Sequence, residues 1–456
     1  MMRAWTLSEL QAPLDAQLLG VDATVVGVST DSRSIAAGEL FVALQGENFD
    51  GHKYLEGVRQ AGAAGVLVSV NCASTLPQLK VHDTQRALGL LGAYNREDFS
   101  GKLVAITGSG GKTTAKNLVA AVLAKKGCTL ATQGNFNNEI GVPLTLLKLA
   151  PEHQFAVVEM GAARAGDIEW LVTLGRPSIA VLLNAMPAHL ESFGSVEYIA
   201  QAKAEIFDQL QAGDTAIFNA DQVFASQWRE RAGEATILDF GVSQPSAAVR
   251  AINIQTRSFS GVSFTAVTPE GEIKVDLQLS GTHNVSNALA AIAVGLACDV
   301  SLYDIQAGLA SVSAVPGRLA VVETSSGATL IDDCYNAQPG SVKAAIDLLA
   351  ESKGRRTLVL GAMKELGPDS ESLHIEVAEY ARASGVEQMW GVGEELRSAI
   401  PAFGDGGRYF SSRENAIESV SGAFSEEDTV LVKGSRSAGM ELVLVAISAA
   451  NTVKGA

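Results

Sequence analysis

The sequence predicts an α/β protein divided into three domains, and three observations carry that expectation. A chain of 456 residues is longer than a single hydrophobic core usually organises. Short β-branched runs alternate with helical segments through the middle of the chain and again after Pro316-Gly317, the pattern of mostly parallel sheets with helices on both faces. The opening segment differs, with short strand-like runs and glycine-rich turns. Boundaries near residues 82 and 315 give segments 1–82, 83–314 and 315–456.

In the first segment, strands are expected near Val25–Ser29 and Leu40–Ala43. In the second, Leu103–Thr107 is a β-branched run that ends in glycines. Thr113–Lys126 follows with apolar residues at Leu118, Val119, Val122 and Leu123, a helical spacing that stops at Gly127. Phe155–Glu159, Ile179–Leu183 and Thr215–Asn219 read as further buried strands. The third segment repeats the alternation, with strands at Thr329–Asp332, Thr357–Leu360, Met389–Val392 and Thr429–Val432. Its Gly391-Val392-Gly393 lacks the third glycine of a dinucleotide loop, because Leu396 stands there.

Composition narrows the class. Hydrophobic residues make up 47% and charged residues 18%, which describes a folded chain with a sizeable core. A formal net charge of −16 argues against nucleic acid, whose phosphate backbone needs clustered Lys and Arg. Cys72, Cys128, Cys298 and Cys334 form no C-x-x-C and read as thiols in a reducing compartment. The start carries no apolar signal core, and no run of eighteen apolar residues occurs, so a cytoplasmic protein without a membrane span is expected.

The sharpest chemical signal is Thr107-Gly108-Ser109-Gly110-Gly111-Lys112-Thr113-Thr114, set between a strand and a helix. Glycines there let backbone N–H groups turn around phosphate oxygens, and the helix N-terminus adds partial positive charge. Lys112 would neutralise the β- and γ-phosphates, and the Thr113 hydroxyl would hold Mg²⁺. The longer G-x-x-x-x-G-K-T pattern would need glycine where Ile106 stands; the shorter G-x-x-G-K-T is present.

Other candidates lie at expected sheet edges. Glu159 ends a buried strand and is either a Mg²⁺ ligand or a solvated acid. His189 follows the next strand and could reach the same edge. Lys203, on a helix expected around Glu197–Leu210, falls in the apolar stripe of Ile199 and Ile206. It either snorkels to water or, with a lowered pKa, reacts with CO₂ to give a carbamate. The asparagines of His283-Asn284-Val285-Ser286-Asn287 either cap a helix or read an adenine edge.

Together these residues resemble the Mur ligase family over essentially the whole chain. The matching stretches are Thr107–Thr114, Gly134–Pro143, Glu159, His189, Lys203, His283–Asn287 and Pro316-Gly317-Arg318. The resemblance implies a small α/β UDP-binding domain, a central P-loop ATPase domain with a parallel sheet, and a Rossmann-like C-terminal domain. Asp31-Ser32-Arg33, Gly38–Ala43 and Asp50-Gly51-His52 resemble the UDP-binding part, which implies substrate contacts at Ser32, Arg33, Gly46, Asp50, Gly51 and His52. Asp332–Pro339, Gly361–Gly367 and Lys433–Arg436 resemble members that take D-alanyl-D-alanine. No D-N-P-R for diaminopimelate is present, while Cys334, Gln338, Ala362 and Lys364 depart from the commoner residues.

The resemblance further implies ATP-dependent joining of D-alanyl-D-alanine to UDP-N-acetylmuramoyl-tripeptide through an acyl phosphate, in peptidoglycan precursor synthesis by a monomer. Thr113 and Glu159 would hold one Mg²⁺, with His189 and carbamylated Lys203 holding a second. Lys112 and Arg318 would offset phosphate charge. Gly108 to Thr114, Asn137, His283, Asn284, Arg318, Asp333 and Asn336 would contact the nucleotide, with the choice between Asp332 and Asp333 open. The competing readings are a Mur-type ligase adding the third amino acid, a P-loop kinase or ATPase, and a non-catalytic nucleotide-binding scaffold.

Overall fold

The structure is a computed structural model that describes residues 2–187 and 193–450. His189 lies outside the described residues. Near the N-terminus, a five-stranded sheet runs in the order Gln17–Leu19, Gln78–Lys80, Gly65–Val68, Glu39–Val42, Gly27–Ser29. It is parallel except at the Gln17–Leu19 edge.

The central sheet is wholly parallel, in the order Thr236–Ile237, Thr215–Phe218, Ile179–Leu182, Lys102–Thr107, Phe155–Glu159, Thr129–Ala131. Period-two alternation explains its burial on both faces. Val104, Ile106 and Val157 face one apolar cluster with helices Lys112–Leu123 and Thr282–Ala297. Leu103, Ala105, Ala156 and Val158 face another that includes helix Asp167–Gly175. Lys102–Thr107 lies between Phe155–Glu159 and Ile179–Leu182, and the chain builds the sheet to one side of it before crossing to the other, so its C-terminal end opens at the topological switch point where such folds bind ligands.

A four-stranded sheet, Phe240–Gly241, Val249–Thr256, Val262–Thr268 and Gly271–Leu277, covers the outer side of helix Thr282–Ala297. The expectation of strand–helix alternation did not include it. The strict burial alternation of Val262–Thr268 is nonetheless written in V-S-F-T-A-V-T.

The last sheet runs Ala320–Val322, Thr329–Asp333, Asp428–Lys433, Arg355–Gly361, Gln388–Val392, Gly407–Phe410, parallel except at its first pair. The expected helix Thr113–Lys126 spans Lys112–Leu123, because the chain tightens into a turn whose Gly127 N–H bonds Leu123 O at 3.0 Å. The helix expected at Glu197–Leu210 is Val196–Ala204 followed by a 3₁₀ turn at Glu205–Phe207.

Candidate nucleotide site at the edge of the central sheet

The glycine-rich loop is braced from the next strand's loop. Ser109 N–H donates to Asn184 O at 3.1 Å, and Gly110 N–H to Asn184 Oδ1 at 2.9 Å. Ser109 Oγ donates to Met186 O and accepts from Met186 N–H, each at 3.0 Å. Gly108 ends the run from the sheet and Gly111 caps the helix with φ 80°, a left-handed conformation that suits glycine. A Cβ on Gly111 would also lie 2.5 Å from Asn287 Oδ1, so the loop packs directly on helix Thr282–Ala297. Lys112 Nζ donates to Gly108 O at 2.8 Å. Burial lowers its pKa, Glu159 opposes that shift and Arg318 adds to it. Thr113 and Thr114 complete the first helical turn, both half-buried.

Glu159 stands in register with Ile106 and is 2% exposed. Its Oε1 accepts from Asn137 Nδ2 at 2.7 Å, while buried Oε2 has no hydrogen-bond partner among the described residues. Beneath it Lys116, 4% exposed, donates from Nζ to Thr132 O at 2.7 Å, and Thr132 Oγ1 accepts the Glu159 N–H at 3.0 Å. Lys203 is 3% exposed and its Nζ makes no hydrogen bond among the described residues. Burial drives its pKa down to about 7, with Lys112 pushing the same way and Glu205 partly opposing. An amine so placed is substantially neutral near neutral pH and therefore nucleophilic.

Arg318 approaches from beyond the central sheet. Its Nη2 donates to Thr113 Oγ1 at 3.1 Å, and its guanidinium lies 4.1 Å from the centroid of the Tyr335 ring. Asp332 is occupied with backbone, accepting from Gly317 N–H at 2.7 Å and Cys334 N–H at 3.2 Å. Asp333 instead pairs with Lys433 Nζ at 2.5 Å, and Lys433 also donates to Asn336 O at 2.8 Å. Burial raises the Asp333 pKa, against the pull of Lys433 and Arg318. Asn336 is exposed, its Oδ1 accepting from Ala337 N–H at 2.9 Å.

Asn284 is buried and internally bonded, giving Nδ2 to Ser280 O at 2.7 Å and accepting from Asn287 Nδ2 at 3.0 Å. Exposed His283 sits beside it in the helix's first turn.

The first-domain candidates form a separate group, with no hydrogen bond to the phosphate loop among the described residues. The Arg33 side chain donates two bonds to Asp31, at 2.9 and 2.7 Å. Ser32 is half-buried next to it, and Gly46 N–H donates to Phe49 O at 2.9 Å. Gly51 is buried against Ala43, where a Cβ would come within 2.9 Å of backbone. His52 Nε2 accepts the Ser69 N–H at 3.1 Å, which leaves Nδ1 to donate to Asp50 Oδ1 at 2.7 Å. Lys116, Thr132, Asn184, Tyr335 and Lys433 were not among the expected site residues. Lys116 carries a direct sequence signal, four residues after Lys112 on the same helical face, and Tyr335 and Lys433 lie in the stretches Asp332–Pro339 and Lys433–Arg436 noted above.

The fold and this edge define a P-loop nucleotide-dependent enzyme whose phosphate loop is reached by an arginine from another domain. The chain matches the Mur ligase middle domain over residues 106–295, the Mur ligase glutamate ligase domain over 317–436 and the Mur ligase family catalytic domain over 24–93. It belongs to the Mur ligase family and is an ATP-dependent ligase. It is 43% identical to the UDP-N-acetylmuramoyl-tripeptide–D-alanyl-D-alanine ligase of Escherichia coli, covering 97% of this chain and 98% of that one. The MurF crystal structure from Acinetobacter baumannii is similar with a TM-score of 0.91, at 33% identity over 98% of this chain and 99% of that one. MurF ligase from Thermotoga maritima in complex with ADP has a TM-score of 0.82, at 28% identity over 92% and 97%.

Proposed function

We propose that the chain joins D-alanyl-D-alanine to UDP-N-acetylmuramoyl-tripeptide at the expense of ATP, in peptidoglycan precursor synthesis. The observation that carries this reading is the reach of Arg318 to Thr113, in a chain 43% identical over nearly its whole length to a relative named for that reaction. A carboxylate does not acylate an amine until it gains a leaving group. The tripeptide carboxylate oxygen would attack the γ-phosphorus, the bond to ADP breaks, and an acyl phosphate forms. The dipeptide's neutral amine then attacks the acyl carbon, phosphate departs with the C–O bond electrons, and the nitrogen loses its proton. Two anions meet in the first step, so Lys112 and Arg318 offset their repulsion from either side of the loop.

The residues present suit divalent cations. Among the described residues, buried Glu159 Oε2 lacks a hydrogen-bond partner and Lys203 is buried without a hydrogen bond, while Thr113 offers a hydroxyl at the same edge. Thr113 and Glu159 would hold one Mg²⁺, and His189 with a carbamate on Lys203 a second. When bound, Mg²⁺ withdraws charge from the phosphate oxygens. Asp333 rather than Asp332 is assigned to the nucleotide side, since both Asp332 oxygens already bind backbone. Asn137 positions Glu159, while His283 and Asn284 line the base side, Asn284 with the amide hydrogen and carbonyl lone pair that its internal bonds leave over.

The five-stranded sheet, the central sheet with its four-stranded neighbour, and the last six-stranded sheet support domains at 1–82, 83–314 and 315–456. Among the described residues no helix is long and apolar enough to cross a membrane. Nucleotide substrates support a cytoplasmic setting, and a site completed by the chain's own Arg318 supports action as a monomer. The test is phosphate release with UDP-linked tripeptide and candidate amines supplied singly. D-Alanyl-D-alanine should drive turnover; release driven instead by diaminopimelate or lysine on the UDP-linked dipeptide would assign the preceding step.

A further inference from the structure

The four-stranded sheet sends one turn out of its own core. Between strands Val249–Thr256 and Val262–Thr268, residues Ser258–Ser260 form a 3₁₀ turn. Phe259 on this turn is 8% exposed, and it packs away from the sheet that carries it. It joins the apolar cluster of Val342, Ala345, Ile346 and Leu349, on the third domain's helix Pro339–Ala350. Among the described residues it is the one buried member of that cluster from before residue 315.

Two hydroxyls flank the plug. Thr256 Oγ1 donates to Glu351 Oε2 and Ser258 Oγ to Glu351 O, each at 3.3 Å. Glu351 is the C-cap of helix Pro339–Ala350, so the turn grips that helix at its far end. Ser258 has φ 47°, a conformation rare for L side chains, which persists only where surrounding contacts determine it.

The near end of the same helix belongs to the nucleotide side. It begins at Pro339, directly after the segment holding Asp333, Tyr335 and Asn336. Tyr335 stacks on Arg318, and Arg318 reaches Thr113. Twelve helical residues span about 18 Å, a stiff rod with a clip at one end and site residues at the other.

We propose that Phe259 is a positioning residue: it clips helix Pro339–Ala350 to the middle domain and thereby sets where Arg318 and the Asp333–Asn336 segment stand against the phosphate loop. A site divided between domains loses rate steeply with small misplacement, so such a stop acts on substrate use rather than on folding alone. The proposal rests on the phosphate-loop reading given above.

Four proteins test it: wild type, Phe259→Ala, Phe259→Leu and Lys112→Ala. Ligase kinetics, ADP-binding calorimetry and small-angle scattering are measured on each full chain. Phe259→Ala should raise KM for ATP and for the amine roughly tenfold, equal to about 1.4 kcal/mol, with a larger radius of gyration. Phe259→Leu should recover most of both. Unchanged KM values overturn the clip, whatever the scattering shows. A defect confined to kcat, or one that leucine does not relieve, marks general destabilisation and also overturns it. If the alanine variant fails to fold, the Thr256→Val, Ser258→Ala pair replaces it with the same outcomes. Lys112→Ala reports on the site itself: retained ADP binding there overturns the phosphate-loop reading, whereas its loss beside a normal Phe259→Ala overturns the clip alone.

Discussion

Lys203 and Lys116 show how two buried lysines acquire different work. Lys116 has an acceptor, Thr132 O, and supports the strand that carries Glu159. Lys203 has none among the described residues, and burial brings its pKa to about 7. Lys203→Ala should therefore be nearly inactive and regain turnover with added short carboxylates, while ¹³C-bicarbonate should give a carbamate resonance in wild type only. No rescue together with no resonance would sink the carbamate. Lys112→Ala should lose roughly 10²–10³-fold in kcat through lost charge at the phosphates, read by steady-state kinetics. Lys203 was legible because Ile199 and Ile206 bracket it. Lys116 was not singled out, although it repeats Lys112 one turn on, because its acceptor Thr132 O lies 16 positions away with no local pattern to announce it. The choice between Asp332 and Asp333 needed coordinates, since adjacent strand residues point to opposite faces and only the loops reveal which face matters.

At the scale of elements, the loop and its helix were readable because glycines, a β-branched run and a 3.6-residue period coincide there. The partner of the loop was not readable: Asn287 lies 176 positions downstream of Gly111, and no local pattern announces a contact of that range. Gly111→Ala should cost about 1–2 kcal/mol for its left-handed backbone, in addition to the collision with Asn287. In denaturant titrations the double variant Gly111→Ala, Asn287→Gly should be less damaged than the two singles summed. Strict additivity would show that the contact is not felt. The four-stranded sheet was missed for a different reason. Its alternating strands were legible singly, but they interrupt an α/β rhythm that dominates the chain on both sides.

At the scale of the molecule, the five-stranded, central and last sheets were foreseeable from two textures of sequence and the break at Pro316-Gly317, whereas their mutual placement was not. Placement depends on single contacts such as Arg318 with Thr113 and Phe259 with helix Pro339–Ala350, and single contacts leave no period. Arg318→Lys should lower kcat about 10²-fold and raise the KM for ATP, while affinity for ADP, which lacks the γ-phosphate, changes little, because an ammonium keeps the charge but loses the planar stack on Tyr335 and the reach to Thr113. Equal loss in kcat and ADP affinity would mean that the arginine belongs to resting nucleotide binding.

The wedge of Asn287 beneath Gly111 also bears on what kind of device the central domain is. Asn287 is bonded to Asn284, Asn284 to Ser280, and the whole helix packs on the one that begins at Lys112. Phosphate end and proposed base end are thus cut from one block, a packed pair of helices. Such a block behaves as a caliper locked at one opening: it gauges the length of a nucleotide instead of moulding itself to it. Whatever adapts to the changing shape of the reactants must then be borne by the third domain.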